Sequence, residues 1–386
     1  MRAPISAGAP NLNNAAGATH VLPARCVFKR GEQWTECALL HCKSHRGGIF
    51  SASRSRRAAA HFSNTHFLAG FPMLNDNAIL VLGAGQLGMA MLRYLAPHAK
   101  RAARVSLSVL LRPSTVASTD TAKQQDLADL NALGVHIVAG DLATQSSDEL
   151  ADTFSRFHTV ISCTGFVGGP GVQRKIARAA LDADVKRFVP WQFGVDYDVI
   201  GRNSPQDLFD EQLDVRDMLR AQPNTEWVIV STGMFTSFLF EPAFGVVDLE
   251  ANTVNALGSW DTAVTLTTAD DIGNLTAEIL FTEPRIANRA VYVAGDTVTY
   301  REVADALDRA RGFKVQRHEW TVPELKRQLA ADPENALRKY RAVFAEGRGV
   351  AWDKAQTFNA QRGIAVCGLD QWLRDHLPAP DQGRRI

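Results

Sequence analysis

The chain has 386 residues, of which 46% are hydrophobic and 22% are charged, so it can bury a large core. It holds no apolar run of the roughly 20 residues that a membrane-spanning helix needs, so we expect no membrane association. Residues 1–72 carry a net charge of +7, and the mildly acidic remainder, residues 73–386 with −6, argues against nucleic acid as the main partner.

Residues 1–72 show no sustained helical or strand period, and three interpretations compete. The segment is a transit peptide, a basic disordered tail, or upstream sequence outside the real protein, with Met73 as the true start. We favour the third, because Met73 stands six residues before the first predicted strand. Cysteines are few and no Cys/His set has zinc-like spacing, so we expect a reduced, cytoplasmic location and no metal.

The apolar run Ile79–Leu82 predicts a buried strand, and a Gly-x-Gly-x-x-Gly turn and a helix over Gln86–Leu95 follow it. The first glycine allows the tight turn, the second lets the backbone approach a pyrophosphate, and the third lets the helix pack on the strand. The helix N-terminus offers free N–H groups to phosphate. The pattern indicates dinucleotide binding rather than a turn without a ligand. The residues expected around the pyrophosphate are Gly83, Gly85, Gln86, Leu87 and Gly88.

A second strand is predicted over Val105–Leu111, and Arg112 follows it directly. An acidic residue at this place holds the ribose hydroxyls of NAD, whereas an arginine suits the 2′-phosphate of NADP. Arg112 therefore favours NADPH/NADP, with Lys123 as a helper. The alternative is a solvated charge at a strand end.

Strands and helices then alternate with short connections, which predicts an α/β fold with a doubly wound parallel sheet. The fourth strand ends in small residues, including Thr164 and Gly165, that would let a cofactor lie across the sheet edge. Further strands are expected at 135–138, 160–165, 187–190, 227–231, 263–267 and 290–293, and helices at 173–183, 206–221, 271–280 and 299–310.

The alternation of predicted strands and helices changes after residue 235, where phenylalanine, proline and glycine become frequent. We expect a Rossmann domain over residues 73–235 and a smaller, mixed but mainly helical region over 236–378 that covers the substrate. The helix predicted over 299–310, within this second region, has Thr299 as its cap and Glu302 at the capping-box position. Residues 379–386 form a polar tail.

The loop after the fifth strand is expected at the carboxyl edge of the sheet, where ligands bind in open α/β folds. It offers three aromatic side chains and two polar ones, unless it is only a packed hydrophobic loop. These residues are Trp191, Gln192, Phe193, Asp196 and Tyr197.

The helix that follows places Gln212 on an apolar, inward face with Val215 and Leu219. A buried amide needs partners, which a substrate, the nicotinamide region or the backbone would supply. The acidic residues of this helix fall on other faces and are expected in solvent: Asp210, Glu211 and Asp214.

Three common catalytic motifs are absent from the sequence. None of the five tyrosines has a lysine four positions later, so the usual short-chain dehydrogenase pair is missing. No Gly-Lys-Ser/Thr or Gly-x-Ser-x-Gly occurs, which argues against phosphate-loop nucleotide hydrolases and α/β-hydrolases.

Together these segments resemble the NmrA-like, atypical short-chain group that contains the isoflavone and phenylcoumaran benzylic ether reductases. The resemblance implies a Rossmann fold, NADPH and a small aromatic substrate in a cleft roofed by the C-terminal region, and it is compatible with a homodimer. The matching residues are Gly83–Gly88, Leu111-Arg112, Gly140–Leu142, Val160–Ser162, Gln173, Val185–Pro190 and Phe193-Gly194.

One departure concerns chemistry. The plant reductases have a Pro-Ser-Glu-Phe-Gly loop where this chain has Pro-Trp-Gln-Phe-Gly, and their catalytic lysine aligns with Gln212. Glutamine can hydrogen-bond but cannot supply a titrating proton. Two functions are therefore expected. The first is a reductase, in which Phe193 shapes the nicotinamide site and Gln212, with Tyr197, Asp196 or a water, serves the substrate oxygen. The second is a non-catalytic dinucleotide sensor acting through a protein partner.

Overall fold

Short, mostly apolar runs form the strands of the computed structural model, which describes residues 77–101, 105–166 and 168–377. In chain order the described strands are β1 (Ile79–Leu82), β2 (Leu107–Leu111), β3 (His136–Ala139), β4 (Thr159–Ser162), β5 (Arg187–Val189), β6 (Glu226–Ser231), β7 (Met234–Phe235), β8 (Val247–Asp248), β9 (Thr253–Leu257), β10 (Ala263–Thr267), β11 (Arg289–Tyr292), β12 (Asp296–Thr299) and β13 (Gln316–Trp320).

Helices connect these strands in the alternation that the sequence predicts. They are α1 (Gln86–Arg101), α2 (Pro113–Val116), α3 (Thr121–Leu133), α4 (Ser147–Phe154), α5 (Val172–Asp182), α6 (Tyr197–Ile200), α7 (Leu208–Arg220), α8 (Thr236–Leu239), α9 (Ala269–Phe281), α10 (Tyr300–Arg311), α11 (Val322–Ala331), α12 (Ala336–Ala345), α13 (Phe358–Gln361) and α14 (Leu369–His376). None of the helices within the described ranges is both long and apolar enough to cross a membrane.

The main sheet has seven strands in the order β11-β6-β5-β4-β1-β2-β3, and all neighbouring strands run parallel. The order reverses between β1 and β4, and doubly wound sheets bind their ligands in the crevice at such a switch point. The predicted doubly wound Rossmann sheet is therefore confirmed.

Alternate residues of β1 face two different helical layers, because side chains alternate along a strand. Ile79 and Val81 pack in one core cluster with residues of α1 and α9. Leu80 and Leu82 pack in another with residues of α4, α5 and α7. Burial of β1 on both faces explains why its sequence is a continuous apolar run.

The chain beyond residue 235 returns to this sheet through α9 and β11. β11 pairs with β6 in parallel, and Gly273 of α9 lies so close to α1 that an added Cβ would stand 2.7 Å from the carbonyl carbon of Ala90. The residues before and after the expected limit at 235 therefore share the main sheet. The sequence did not predict this, because pairing between distant strands leaves no local sequence signal.

Two further sheets, β12-β10-β7 and β13-β9-β8, surround a separate core cluster with α10, α12 and α14. This region is mixed α/β, and more of its residues lie in helices than in strands. The predicted cap of α10 is confirmed: Thr299 and Glu302 form a reciprocal capping box. The expectations for residues 1–72 and for the tail over 379–386 concern parts of the chain that lie outside the described ranges.

Candidate functional site

The glycine turn after β1 has the close packing that the sequence predicts. Gly83 has a φ of +88°, which favours glycine, and its N–H donates to the carbonyl of Leu110 at 3.1 Å. A Cβ on Gly88 would overlap the carbonyl oxygen of Gly83, so α1 can lie this close to β1 only with glycine there. Gly85 stays partly exposed between them.

The first turn of α1 is open to an anion. It contains no acidic residue, Gln86 is exposed and Leu87 is buried against the sheet. Because the N-terminal amides of a helix lack intrahelical acceptors and carry the positive end of its dipole, this turn favours a phosphate.

Thr164 and Gly165 follow β4, the strand that pairs with β1, and border the glycine turn as expected. A Cβ on Gly83 would stand 3.0 Å from the methyl group of Thr164, so the ends of β1 and β4 are in contact. Gly165 has a φ of +59°, and its carbonyl accepts a hydrogen bond from the buried Gln173 side chain. Small residues thus border the crevice at the switch point.

Arg112 and Lys123 come after β2, the strand that pairs with β1 on the side opposite to β4. Arg112 follows β2, is exposed, and its carbonyl accepts from Thr115 N at the start of α2. Lys123 is exposed in the first turn of α3. Neither cation pairs with a carboxylate among residues 77–101, 105–166 and 168–377, so both charges are available to a ligand.

The loop after β5 is a buried, firmly anchored wall rather than a solvent loop. Phe193 is buried, and Trp191 meets Phe166 edge to face with ring centres 4.7 Å apart. The carbonyl of Gly194 accepts from Thr232 N and Gly233 N, both at 2.9 Å, which joins this loop to the loop after β6.

A buried polar network holds this loop against α7. Gln192 donates to the carbonyl of Gln212 at 2.8 Å, and its side-chain oxygen accepts from Arg216 Nε at 2.7 Å. Arg216 has no exposed area, and its Nη1 donates to Asp198 at 2.6 Å. Arg216 is thus a buried cation that the sequence analysis missed, although its helical spacing from Gln212 could have revealed it.

Gln212 faces inward as predicted, but it is covered completely in this state. Its side chain is 0% exposed, and neither amide atom has a hydrogen-bond partner within the described part of the chain. A buried side-chain amide without hydrogen bonds lowers the stability of a fold by about 1–3 kcal/mol. A ligand or a water beside Gln212 would supply the missing partners.

Asp196 and Tyr197 lie at the start of α6. Asp196 accepts from Val199 N as the helix cap and from the hydroxyl of Tyr292 at 2.7 Å. The ring of Tyr197 meets Phe209 edge to face and lies 5.2 Å from the guanidinium of Arg216, and burial raises the pKa of Tyr197 above its usual range. Tyr197 is therefore a neutral, buried hydroxyl.

Tyr292 is a residue that sequence reasoning missed. It failed the search for a following lysine, and its contact with Asp196 depends on β11 joining the main sheet.

The expectation that Glu211 is solvated was wrong. Its carboxylate is buried and accepts from Gly171 N at 2.8 Å and Arg174 N at 3.1 Å. Glu211 therefore caps the first turn of α5, where a negative charge is favourable. Packing of α5 against α7, which no local pattern encodes, gives this residue its role.

The profile of the NmrA-like family matches residues 75–361. An NmrA-like family domain-containing oxidoreductase of Gibberella moniliformis is 49% identical over 303 residues, which cover 78% of this chain and 98% of that protein. The phenylcoumaran benzylic ether reductase Pyrc5 of Pyrus communis is 29% identical over 265 residues, covering 66% of this chain and 83% of that protein.

Solved structures share the fold. The crystal structure of isoflavone reductase superposes with a TM-score of 0.63 at 20% identity, covering 78% of this chain and 99% of that one. AtPrR2 with NADP+ and (+)pinoresinol gives 0.63 at 21% identity, covering 78% and 98%. The chain therefore belongs to the NmrA-like family and has the Rossmann fold of isoflavone reductase-like structures.

Proposed function

We propose that this protein is an NADPH-dependent reductase of small aromatic or conjugated carbonyl and ether compounds. The observation that carries the proposal is the glycine turn at the switch point, with Gly88 packed on Gly83 and with the exposed Arg112 after the neighbouring strand β2, where no carboxylate of the described residues pairs with it. The 49% identical relative is an oxidoreductase, and a related structure contains NADP+ and pinoresinol.

The residues present fit a dinucleotide phosphate. The first turn of α1 would hold the pyrophosphate through its backbone N–H groups, and no acidic side chain in that turn opposes it. Arg112, helped by Lys123, would pair with the 2′-phosphate, because a planar guanidinium matches phosphate geometry. Thr164, Gly165 and Phe193 would border the nicotinamide.

A bound nicotinamide supplies a hydride, and the protein must then orient the acceptor, exclude water and balance a proton at oxygen. Phe193 and Trp191 form the water-excluding wall. We assign Gln212 to orienting the substrate oxygen, since its amide can hydrogen-bond but cannot titrate. Asp196 or Tyr197, or a water beside them, would serve the proton balance.

A second function, a non-catalytic NADP(H) sensor acting through a protein partner, is favoured by the full burial of Gln212 and Tyr197. A sensor must bind its oxidised and reduced ligands with different affinity, because equal affinity shifts no equilibrium.

Replacing Arg112 with alanine should weaken NADPH binding by about tenfold and leave NADH binding nearly unchanged, because NADH lacks the 2′-phosphate. Calorimetric titration of the full chain and of Arg112→Ala with NADPH, NADP+ and NADH measures this. For the wild type, the reductase predicts that NADPH binds at least as tightly as NADP+.

Two outcomes would count against these proposals. Equal losses for NADPH and NADH in Arg112→Ala would remove the argument for NADP specificity. A strong wild-type preference for NADP+ over NADPH would favour the sensor. Arg101→Ala, an exposed charge at the opposite end of α1, is a matched control that should change neither affinity.

A further inference from the structure

Two helices begin at the switch point of the main sheet. α1 follows β1 and α5 follows β4, and because β1 and β4 are parallel neighbours, both helices begin at the carboxyl edge of the sheet. α1 packs in the core cluster on one face of the sheet, and α5 packs in the cluster on the other face. Both helix N-termini therefore border the crevice in which the proposed cofactor site lies.

The start of α5 is joined to the loop after β4, and that loop is open to solvent. The side chain of Gln173, in the first turn of α5, donates to the carbonyl of Gly165. Gly168 and Pro170 are exposed in the segment that leads into the helix. A Cβ added to Gly169 would meet no atom within 4 Å. A small ion therefore has access from solvent to this end of α5.

The cap of α5 comes from another helix. Its own N-cap position is Gly171, with a φ of +88°, and its first turn contains no acidic residue. Glu211 of α7 closes this end instead: one carboxylate oxygen accepts from Gly171 N at 2.8 Å, and the other accepts from Arg174 N at 3.1 Å. The side chain of Arg174 pairs with Asp214 at 3.0 Å. Glu211 is only 7% exposed, so its carboxylate is held against these two N–H groups.

The two helix N-termini therefore present opposite charges to the crevice. The first turn of α1 contains no acidic residue and keeps the positive end of the helix dipole, roughly half an elementary charge. At α5 the same partial charge faces the full negative charge of Glu211, and two N–H groups that an anion would use are already hydrogen-bonded. An anion at the switch point is attracted to α1 and repelled from α5.

We propose that Glu211 is a specificity-determining residue that excludes phosphate and other anions from the α5 side of the crevice, so that the pyrophosphate of the dinucleotide binds beside α1 alone. This inference rests on the proposed cofactor site. Discrimination between two similar places requires an unfavourable contact at the wrong place as well as a favourable contact at the right one. Glu211 supplies the unfavourable contact.

The test is calorimetric titration of the full chain with inorganic pyrophosphate after saturation with NADP+, which occupies the site at α1. The wild type should show no pyrophosphate binding. Glu211→Gln should bind pyrophosphate at least about tenfold more tightly, because the substitution removes the charge while it keeps the shape and one acceptor oxygen. Glu211→Met, which removes both acceptor oxygens, should show a gain in the same direction. A loss of stability alone creates no anion site, so this gain separates exclusion from a merely structural cap.

Asp210→Asn is the matched control. It removes the same charge from the neighbouring residue of α7, but the Asp210 carboxylate accepts from Asn203 N at 3.0 Å rather than from α5. The control should bind pyrophosphate no more tightly than the wild type does.

Three results would overturn the assignment: pyrophosphate binding to the NADP+-saturated wild type, no gain in either variant of Glu211, or an equal gain in Asp210→Asn. The same titrations without nucleotide decide the inference even if NADP+ does not bind, because both variants of Glu211 must then still bind pyrophosphate more tightly than the wild type. Failure of the wild type to bind NADP+ would instead contradict the proposed cofactor site.

Discussion

Replacing Gly88 with valine is expected to weaken NADPH binding by about 100-fold, or roughly 2.8 kcal/mol, and to lower the free energy of unfolding by about 1–3 kcal/mol. A Cβ at this position would overlap the carbonyl oxygen of Gly83, which is backbone and cannot rotate away. α1 must therefore move off β1, and the N–H groups that would hold the pyrophosphate move with it. Calorimetric titration with NADPH and urea unfolding measure the two effects.

The control for this substitution is Gly134→Asn. Gly134 ends α3 with a φ of +78°, and an added Cβ there would meet no atom within 4 Å. Asparagine tolerates this backbone conformation, so the cost should stay below about 1 kcal/mol, with NADPH affinity unchanged. Unaltered NADPH affinity in Gly88→Val would show that this turn does not hold the cofactor.

Replacing Arg216 with methionine should destabilise the protein by about 3 kcal/mol. The change leaves the buried oxygen of Gln192 without its donor and removes the cation beside Asp196 and Asp198. Removing one partner of a buried ion pair costs about 3–5 kcal/mol, and the lower value is expected because Asp198 keeps its hydrogen bonds to Arg220. Urea unfolding of both proteins measures the difference.

The same difference should be found at pH 5 and pH 8. Hydrogen bonds from Arg220, together with Arg216, lower the pKa of Asp198 to about 2. A lowered carboxyl pKa stabilises the fold above the ordinary value near 4, and that stabilisation is lost only as the pH falls towards 2. Both measurements therefore lie where Asp198 is ionised.

Arg202→Met is the matched control for Arg216→Met. Arg202 also contacts two carboxylates, at 2.8 Å from Asp214 and 2.7 Å from Asp217, but its side chain is 44% exposed. Exposed ion pairs contribute at most about 1 kcal/mol. Equal destabilisation by the two substitutions would show that the buried contacts of Arg216 contribute no more to the free energy of unfolding than the exposed contacts of Arg202.

Local sequence patterns were sufficient to predict where the main strands fall along the chain and where the glycine turn lies. Ile79–Leu82 is apolar throughout because both of its faces are covered, and a strand followed by Gly83, Gly85 and Gly88 has few other uses. The cap at Thr299 was equally readable, because its partner Glu302 is three residues away.

Contacts between distant segments could not be predicted in this way. β11 joins β6 across more than 50 residues, and only that pairing brings Tyr292 to Asp196. Glu211 looked solvated because its partners, the N–H groups of Gly171 and Arg174, belong to another helix. The side chains that surround the candidate site are thus positioned by packing that helical or strand periodicity does not record.

The most direct test of the reductase proposal is a single-turnover transfer of label. The full chain is mixed with NADPH deuterated at C4 of the nicotinamide, in each of its two stereochemical forms, and with 4-hydroxy-3-methoxybenzaldehyde. The proposal predicts that one of the two forms gives benzyl alcohol product with one deuterium at the carbinol carbon. Tight NADPH binding with no deuterium transferred from either form, to this aldehyde or to a panel of aromatic aldehydes and enones, would contradict it and favour the sensor.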